Sequence, residues 1–149
     1  MKRLILTAFL GLGVAFGADD IETLTKKCEA NDGRACGILA DRYEKGEGVA
    51  KDANLAVKYD DKGCNLNNMP SCNNLGNIYR NGKGVAKDEA KAAEYYAKGC
   101  DLGNGSNCGN VGAYYLARTQ RFLTAKKYLE KGCNLNNGIG FKPACRNVR

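Results

Sequence analysis

The sequence predicts an all-α fold, an α/α solenoid superhelix of disulfide-bridged antiparallel helix hairpins. Three observations carry that expectation. The eight cysteines of the 149-residue chain stand at 28, 36, 64, 72, 100, 108, 133 and 145, so the leading cysteine of each pair recurs after 36, 36 and 33 residues. A fixed period in this range marks stacked repeats. The segments 28–63 and 64–99 are identical at 15 of 36 positions, including Val49-Ala50-Lys51-Asp52 against Val85-Ala86-Lys87-Asp88. Within each repeat the apolar residues fall at helical spacing. The repeats span approximately residues 28–63, 64–99 and 100–132, with a partial unit over 133–149.

The first seventeen residues read as a leader. Lys2 and Arg3 precede an apolar run from Leu4 to Phe16, and Ala15-Phe16-Gly17 sets small residues at the −3 and −1 positions of a signal-peptidase site. That order of charge, apolar run and small exit predicts a secretory signal peptide over 1–17 and a repeat domain over 18–149, with cleavage after Gly17 or Ala18. The run is short for a membrane span, so none is expected after cleavage. The expected location is outside the cell or in the periplasm.

After each trailing cysteine, matching residues recur at offsets 3, 4 and 7: Leu39, Ala40 and Tyr43; Leu75, Gly76 and Tyr79; Val111, Gly112 and Tyr115. They form one helix face, with a small residue where a neighbour must come close. Gly46-Glu47-Gly48 and Gly82-Lys83-Gly84 end the first two of these helices, because glycine accepts the positive φ of a C-terminal cap. The third repeat reads Arg118-Thr119-Gln120-Arg121 instead. Asp52 and Asp88 then stand where N-caps of the next helices belong. Those helices run into the following cysteine through Ala56 and Tyr59, Ala92 and Tyr95, and Ala125 and Tyr128, each closing on Lys-Gly-Cys. The tyrosine columns read as core, with hydroxyls reaching a polar edge.

Geometry selects the cysteine pairing. Eight residues of continuous helix would hold two Cα atoms about 12 Å apart, whereas a disulfide tolerates roughly 4.4–6.8 Å. The chain must reverse between paired cysteines, and Asn31-Asp32-Gly33, Asn67-Asn68-Met69-Pro70 and Gly103-Asn104-Gly105 supply turn chemistry. The expected bridges are Cys28–Cys36, Cys64–Cys72, Cys100–Cys108 and Cys133–Cys145. Export to an oxidising compartment and an even cysteine count agree with a disulfide framework.

Composition narrows the chemistry. The chain has no histidine and a formal charge of +7, falling to +5 without Lys2 and Arg3. Its basic residues are scattered, which argues against a nucleic-acid stripe. Without histidine or a C-x2-C pair, no metal site is expected, and no motif calls for a cofactor. The glycine pairs lack the trailing Gly-Lys-Ser/Thr of a phosphate cradle.

The run Leu75-Gly76-x-x-Tyr79-x-x-Gly82-x-Gly84-Val85-x-x-Asp88-x-x-Lys91-Ala92-x-x-Tyr95-Tyr96 resembles a Sel1-like repeat, a relative of the tetratricopeptide repeat. With the cysteine spacing, residues 20–149 resemble the Helicobacter-type cysteine-rich secreted proteins. That resemblance implies penicillin binding and weak β-lactamase activity, or a secreted factor that engages host or cell-wall components. The residues themselves carry no standard β-lactamase centre. Ser71 and Ser106 are the chain's two serines; neither begins an S-x-x-K, and no Lys-Thr-Gly occurs. Thr23-x-x-Lys26 and Thr124-x-x-Lys127 match ordinary solvated helix positions. No catalytic residue is assigned.

A binding role finds better candidates. Offsets 2 and 5 after the trailing cysteines face away from the core columns, and there stand Asn74, Asn77 and Asn110, with Asp41 beside them. An asparagine offers donor and acceptor together, which suits clamping an extended backbone. These three asparagines are the expected lining of a concave groove. The expected occupants are a β-lactam or peptidoglycan-like small molecule, or a peptide or protein.

Overall fold

In the computed structural model, residues 19–135 and Cys145 are described. Seven α-helices follow one another: α1 (Ile21–Glu29), α2 (Gly33–Lys45), α3 (Ala53–Asn65), α4 (Met69–Asn81), α5 (Glu89–Asp101), α6 (Gly105–Tyr114) and α7 (Phe122–Leu135). A π-helical turn, Tyr115–Thr119, continues α6, and there is no strand among the described residues. The expected leader and the end of the partial fourth unit lie outside the described residues.

An Asx side chain caps the N-terminus of each of the first six helices: Asp20, Asp32, Asp52, Asn68, Asp88 and Asn104. Asp52 Oδ1, for example, accepts from the amides of Asn54 and Leu55 at 2.9 and 3.0 Å. Such caps satisfy amides that no helical carbonyl can reach. The opposite ends of α2 and α4 stop at Gly46 and Gly82, whose φ values of 77° and 71° are left-handed. The third repeat makes the same reversal without glycine. There the helix widens into the π turn, and Gln120 takes φ 51°.

Two kinds of turn alternate. Long glycine loops join α2 to α3 and α4 to α5, while short stapled turns join α1 to α2, α3 to α4 and α5 to α6. In each stapled turn, the third residue after the leading cysteine is left-handed: Asn31 (φ 67°), Asn67 (φ 64°) and Gly103 (φ 102°). The three bridges Cys28–Cys36, Cys64–Cys72 and Cys100–Cys108 each hold their Cα atoms 4.7 Å apart. Cys133–Cys145 joins α7 to the segment beyond it, with Cα atoms 5.6 Å apart.

Extensive packing joins helices adjacent in the chain. The cystines of the first three turns are themselves core and fully buried, the first beside Leu24 and Leu39 and the second beside Leu75. The repeated tyrosines occupy the edge of that core rather than its centre. Tyr43 stacks on Tyr59, Tyr79 on Tyr95 and Tyr115 on Tyr128, with ring centroids 5.5–5.9 Å apart. All six are partly buried at the hairpin seam, and the Tyr95 hydroxyl donates to Asp61 Oδ1 at 2.7 Å. The fully enclosed aromatic is Tyr96, outside those columns. It lies against Gly76, where an added Cβ would run into its ring. Gly112 makes the same allowance for Leu129.

Candidate functional site

The helices that carry the trailing cysteines are α2, α4 and α6. Between α4 and α6 lies a cavity of about 270 Å³, floored by Ala92, Ala93 and Tyr96 of α5. Its walls are Arg80 of α4, Asn110, Ala113 and Tyr114 of α6, and Ala117 and Arg118 of the π turn, with Glu89 at the rim. Two larger hollows, about 390 and 460 Å³, lie at the N-terminal end against Asp19 and Arg42.

The cavity is an apolar pocket with a polar, cationic mouth. Arg118 grips Glu89 through two hydrogen bonds, 2.6 Å from Nε and 2.9 Å from Nη2. Arg118 and Lys87 hold the Glu89 carboxyl below its ordinary range. Arg80 lies over the Tyr96 ring, 5.6 Å from its centroid, and donates to Asn77 Oδ1 at 3.2 Å. Tyr96 Oη donates to the same oxygen at 2.7 Å. Burial pushes the Tyr96 phenol above its usual range, so it is a hydrogen-bond donor rather than an acid here.

The structure treats the three asparagines differently. Asn110 lines the cavity. Asn77 spends its carbonyl on Tyr96 and Arg80, so it positions the cavity floor and keeps its amide N–H groups for other partners. Asn74 lies one repeat away, beside the carboxyl of Asp60. The structure thus brings one of the three, Asn110, to the cavity and does not gather the three at one point.

Asp60 went unnoticed in the sequence. It sits on α3, is 3% exposed, and its Oδ1 is sealed from solvent with no hydrogen-bond partner. Burial pushes its pKa up to about 7, with Asp41 and Glu44 of α2 adding repulsion, and Ser71 and Asn74 of α4 easing the rise. Ser71 is itself fully buried and donates to Asn68 Oδ1 at 2.8 Å, so it is not open to a substrate. Ser106 is exposed on the first turn of α6, three residues before Gly109. Among the described residues, no group of three Cys, His, Asp or Glu side chains is arranged to hold a metal. None of the described helices is long and apolar enough to cross a membrane.

Repeated hairpins that stack on their neighbours define an α/α solenoid scaffold. The chain belongs to the Sel1 repeat family, whose model matches residues 33–68, 70–104 and 120–137. Cysteine rich protein B of Helicobacter pylori is 42% identical over 60% of this chain and 67% of its own, with a TM-score of 0.58. A Sel1 repeat protein of Oxalobacter formigenes shares the fold at a TM-score of 0.70 and 22% identity, over 86% of this chain and 96% of that one. A protective antigen of uropathogenic Escherichia coli matches at a TM-score of 0.68 and 25% identity, over 78% of this chain and 26% of that one. No curated protein sequence matches significantly.

Proposed function

We propose that this chain is an exported binding module whose groove holds an extended peptide across α2, α4 and α6. The carrying observation is the cavity between α4 and α6, which joins an apolar floor to Asn110, Arg80 and Arg118 at its mouth. An apolar hollow with a few convergent polar groups is the usual form of a ligand site. Asn110 lines it, Asn74 holds the same register one repeat earlier, and Asn77 stands one turn from Asn74 on α4, amides that suit a peptide's backbone. The leader-like residues 1–17, the bridged repeat domain over 18–149 and the likeness to the Helicobacter cysteine-rich proteins support a periplasmic or extracellular location.

A second reading is β-lactam binding with slow hydrolysis, as the Helicobacter resemblance implies. The same cavity favours it, since an apolar floor beside Arg80 suits a compact ring system bearing a carboxylate. With Ser71 enclosed and Ser106 lacking a lysine partner, such turnover would need an atypical centre.

One experiment separates the two. Disulfide-intact protein is assayed for penicillin and cephalosporin hydrolysis and, in parallel, for binding of muropeptides and an unstructured peptide library. The Asn74→Ala/Asn77→Ala/Asn110→Ala variant should lose peptide affinity with its helical content intact. Efficient hydrolysis abolished by Ser106→Ala would overturn the binding-module reading.

A further inference from the structure

Two arginines border the cavity between α4 and α6, and their charges are committed differently. Arg118 is spent on Glu89, which receives it through two hydrogen bonds. Among the described residues, no carboxylate stands in ion-pair range of Arg80. Arg80 is nevertheless held in place. Its guanidinium lies over the Tyr96 ring, and Asn77 Oδ1 accepts from both Arg80 Nη2 and Tyr96 Oη. The remaining N–H groups of the guanidinium fork stay available, at an exposed position on the cavity wall.

The scaffold itself does not require this arrangement. Arg80 stands eight residues after its trailing cysteine, where the neighbouring repeats carry Glu44 and Leu116. Asn77 stands where they carry Asp41 and Ala113. Tyr96 occupies a column, four residues before the leading cysteine, that elsewhere holds Leu24, Asp60 and Leu129. Of these hairpins, the one built from α4 and α5 alone combines a cation, an aromatic face beneath it and an amide oxygen that fixes it. Beside that cation lie the methyl groups of Ala92, Ala93, Ala113 and Ala117. The cavity, at about 270 Å³, is smaller than the roughly 300–1,000 Å³ that house a whole drug-sized ligand. It suits one apolar side chain of a longer ligand, with an anionic group of the same ligand at Arg80.

Resting on the peptide-groove reading above, we propose that Arg80 is the specificity residue of the cavity: it takes a carboxylate of the bound peptide while an apolar side chain of that peptide enters the cavity. A planar guanidinium meets a carboxylate through two parallel N–H···O bonds, a geometry that an ammonium cannot copy. An acidic side chain and a free C-terminus both offer that pair of oxygens. In an extended chain, residues two apart share a face, so an apolar residue two positions from an acidic one presents both groups together. Charge complementarity of this kind discriminates among ligands more than it sets overall affinity.

The test is a titration of ¹⁵N-labelled, disulfide-intact protein, followed by amide chemical shifts. The probes are acetyl-Ala-Leu-Ala-Glu-Ala-amide, its glutamine counterpart, and acetyl-Ala-Ala-Ala-Ala-Leu as free acid and as amide. In each pair the peptide with the carboxylate should bind about tenfold more tightly, the gain of one charge-assisted contact, and shift amides of α4, α5 and α6 around the cavity. The pair with the larger preference identifies the source of the carboxylate, side chain or chain end. In Arg80→Gln, an exposed position where folding is not at stake, the preference should fall to about twofold. In the wild type it should also narrow as salt rises from about 0.05 to 0.5 M, a readout that needs no variant. If all four peptides shift cavity amides with equal affinity, the carboxylate subsite is wrong while the peptide groove stands. If none shifts them, both readings fall. A carboxylate preference that survives Arg80→Gln unchanged would overturn the role of Arg80.

Discussion

Asp60→Asn is expected to make the protein more stable above neutrality and leave it nearly unchanged in acid. The native carboxyl holds its proton up to about pH 7, against an ordinary value of 3.8. Between those limits the unfolded chain releases a proton that the folded chain keeps, so folding stability falls as pH rises. It is fully present below about pH 4 and lost by the time pH has passed 7. Each tenfold displacement is worth about 1.4 kcal/mol, so the span from 3.8 to about 7 corresponds to a loss on the order of 4 kcal/mol. That is a large part of a typical domain's ~5–15 kcal/mol. Asparagine keeps the shape and cannot ionise. Its stability should therefore match the wild type within about 1 kcal/mol at pH 4 and exceed it by about 3–4 kcal/mol at pH 8. Urea unfolding of oxidised protein, followed by circular dichroism at several pH values, measures both curves. Parallel curves for variant and wild type from pH 4 to pH 8 would refute the claim that the native state keeps this proton.

Two packing predictions are independent of the groove. Gly76→Ala gains about 1 kcal/mol of helix propensity but drives a methyl into the Tyr96 ring, so a net loss of about 1–2 kcal/mol is expected in melting experiments; partial recovery on adding Tyr96→Leu would identify the ring as the cause, and a stabilised single variant would contradict it. Asn107 is fully buried with both amide atoms unpartnered, whereas its counterpart Ser71 donates to the N-cap Asn68. Asn107→Ser should copy that bond onto the N-cap Asn104 and raise stability by about 1 kcal/mol, read as a higher urea midpoint with an unchanged slope.

The fold was legible because its rules repeat. Cysteine spacing exposed the period, glycine pairs and Asx residues marked the helix ends, and apolar columns gave the faces. The site was legible only in part, for reasons that lie in the same residues. Asn110 could be placed from its register, since offset 2 looks into the groove. Asn77 has the right register, but its carbonyl is committed to Tyr96 and Arg80, which come from another helix and from one turn along α4. Asp60 stands beside Asp61 near the end of a helix, where paired acids read as solvated surface. It becomes conspicuous only when Leu24, Tyr96 and Leu129 are set in its column. Arg118 was visible as a departure from the glycine loop, but its bidentate hold on Glu89 depends on the π turn, for which the local sequence has no periodic signal.

The bridges at the first three stapled turns each close within nine consecutive residues, and each joins only helices adjacent in the chain. For a lineage that gains or loses repeats by whole-unit duplication, this makes the copying safe. A segment of one period carries both partners of its own cystine, together with the left-handed turn residue that brings them within reach. An added unit would leave no thiol over and bring no competing long-range partner to scramble with. The stack would lengthen by one hairpin at each such event, and a single substitution in its enclosed column, of the kind that separates Asp60 from Tyr96, would suffice to change what that hairpin buries.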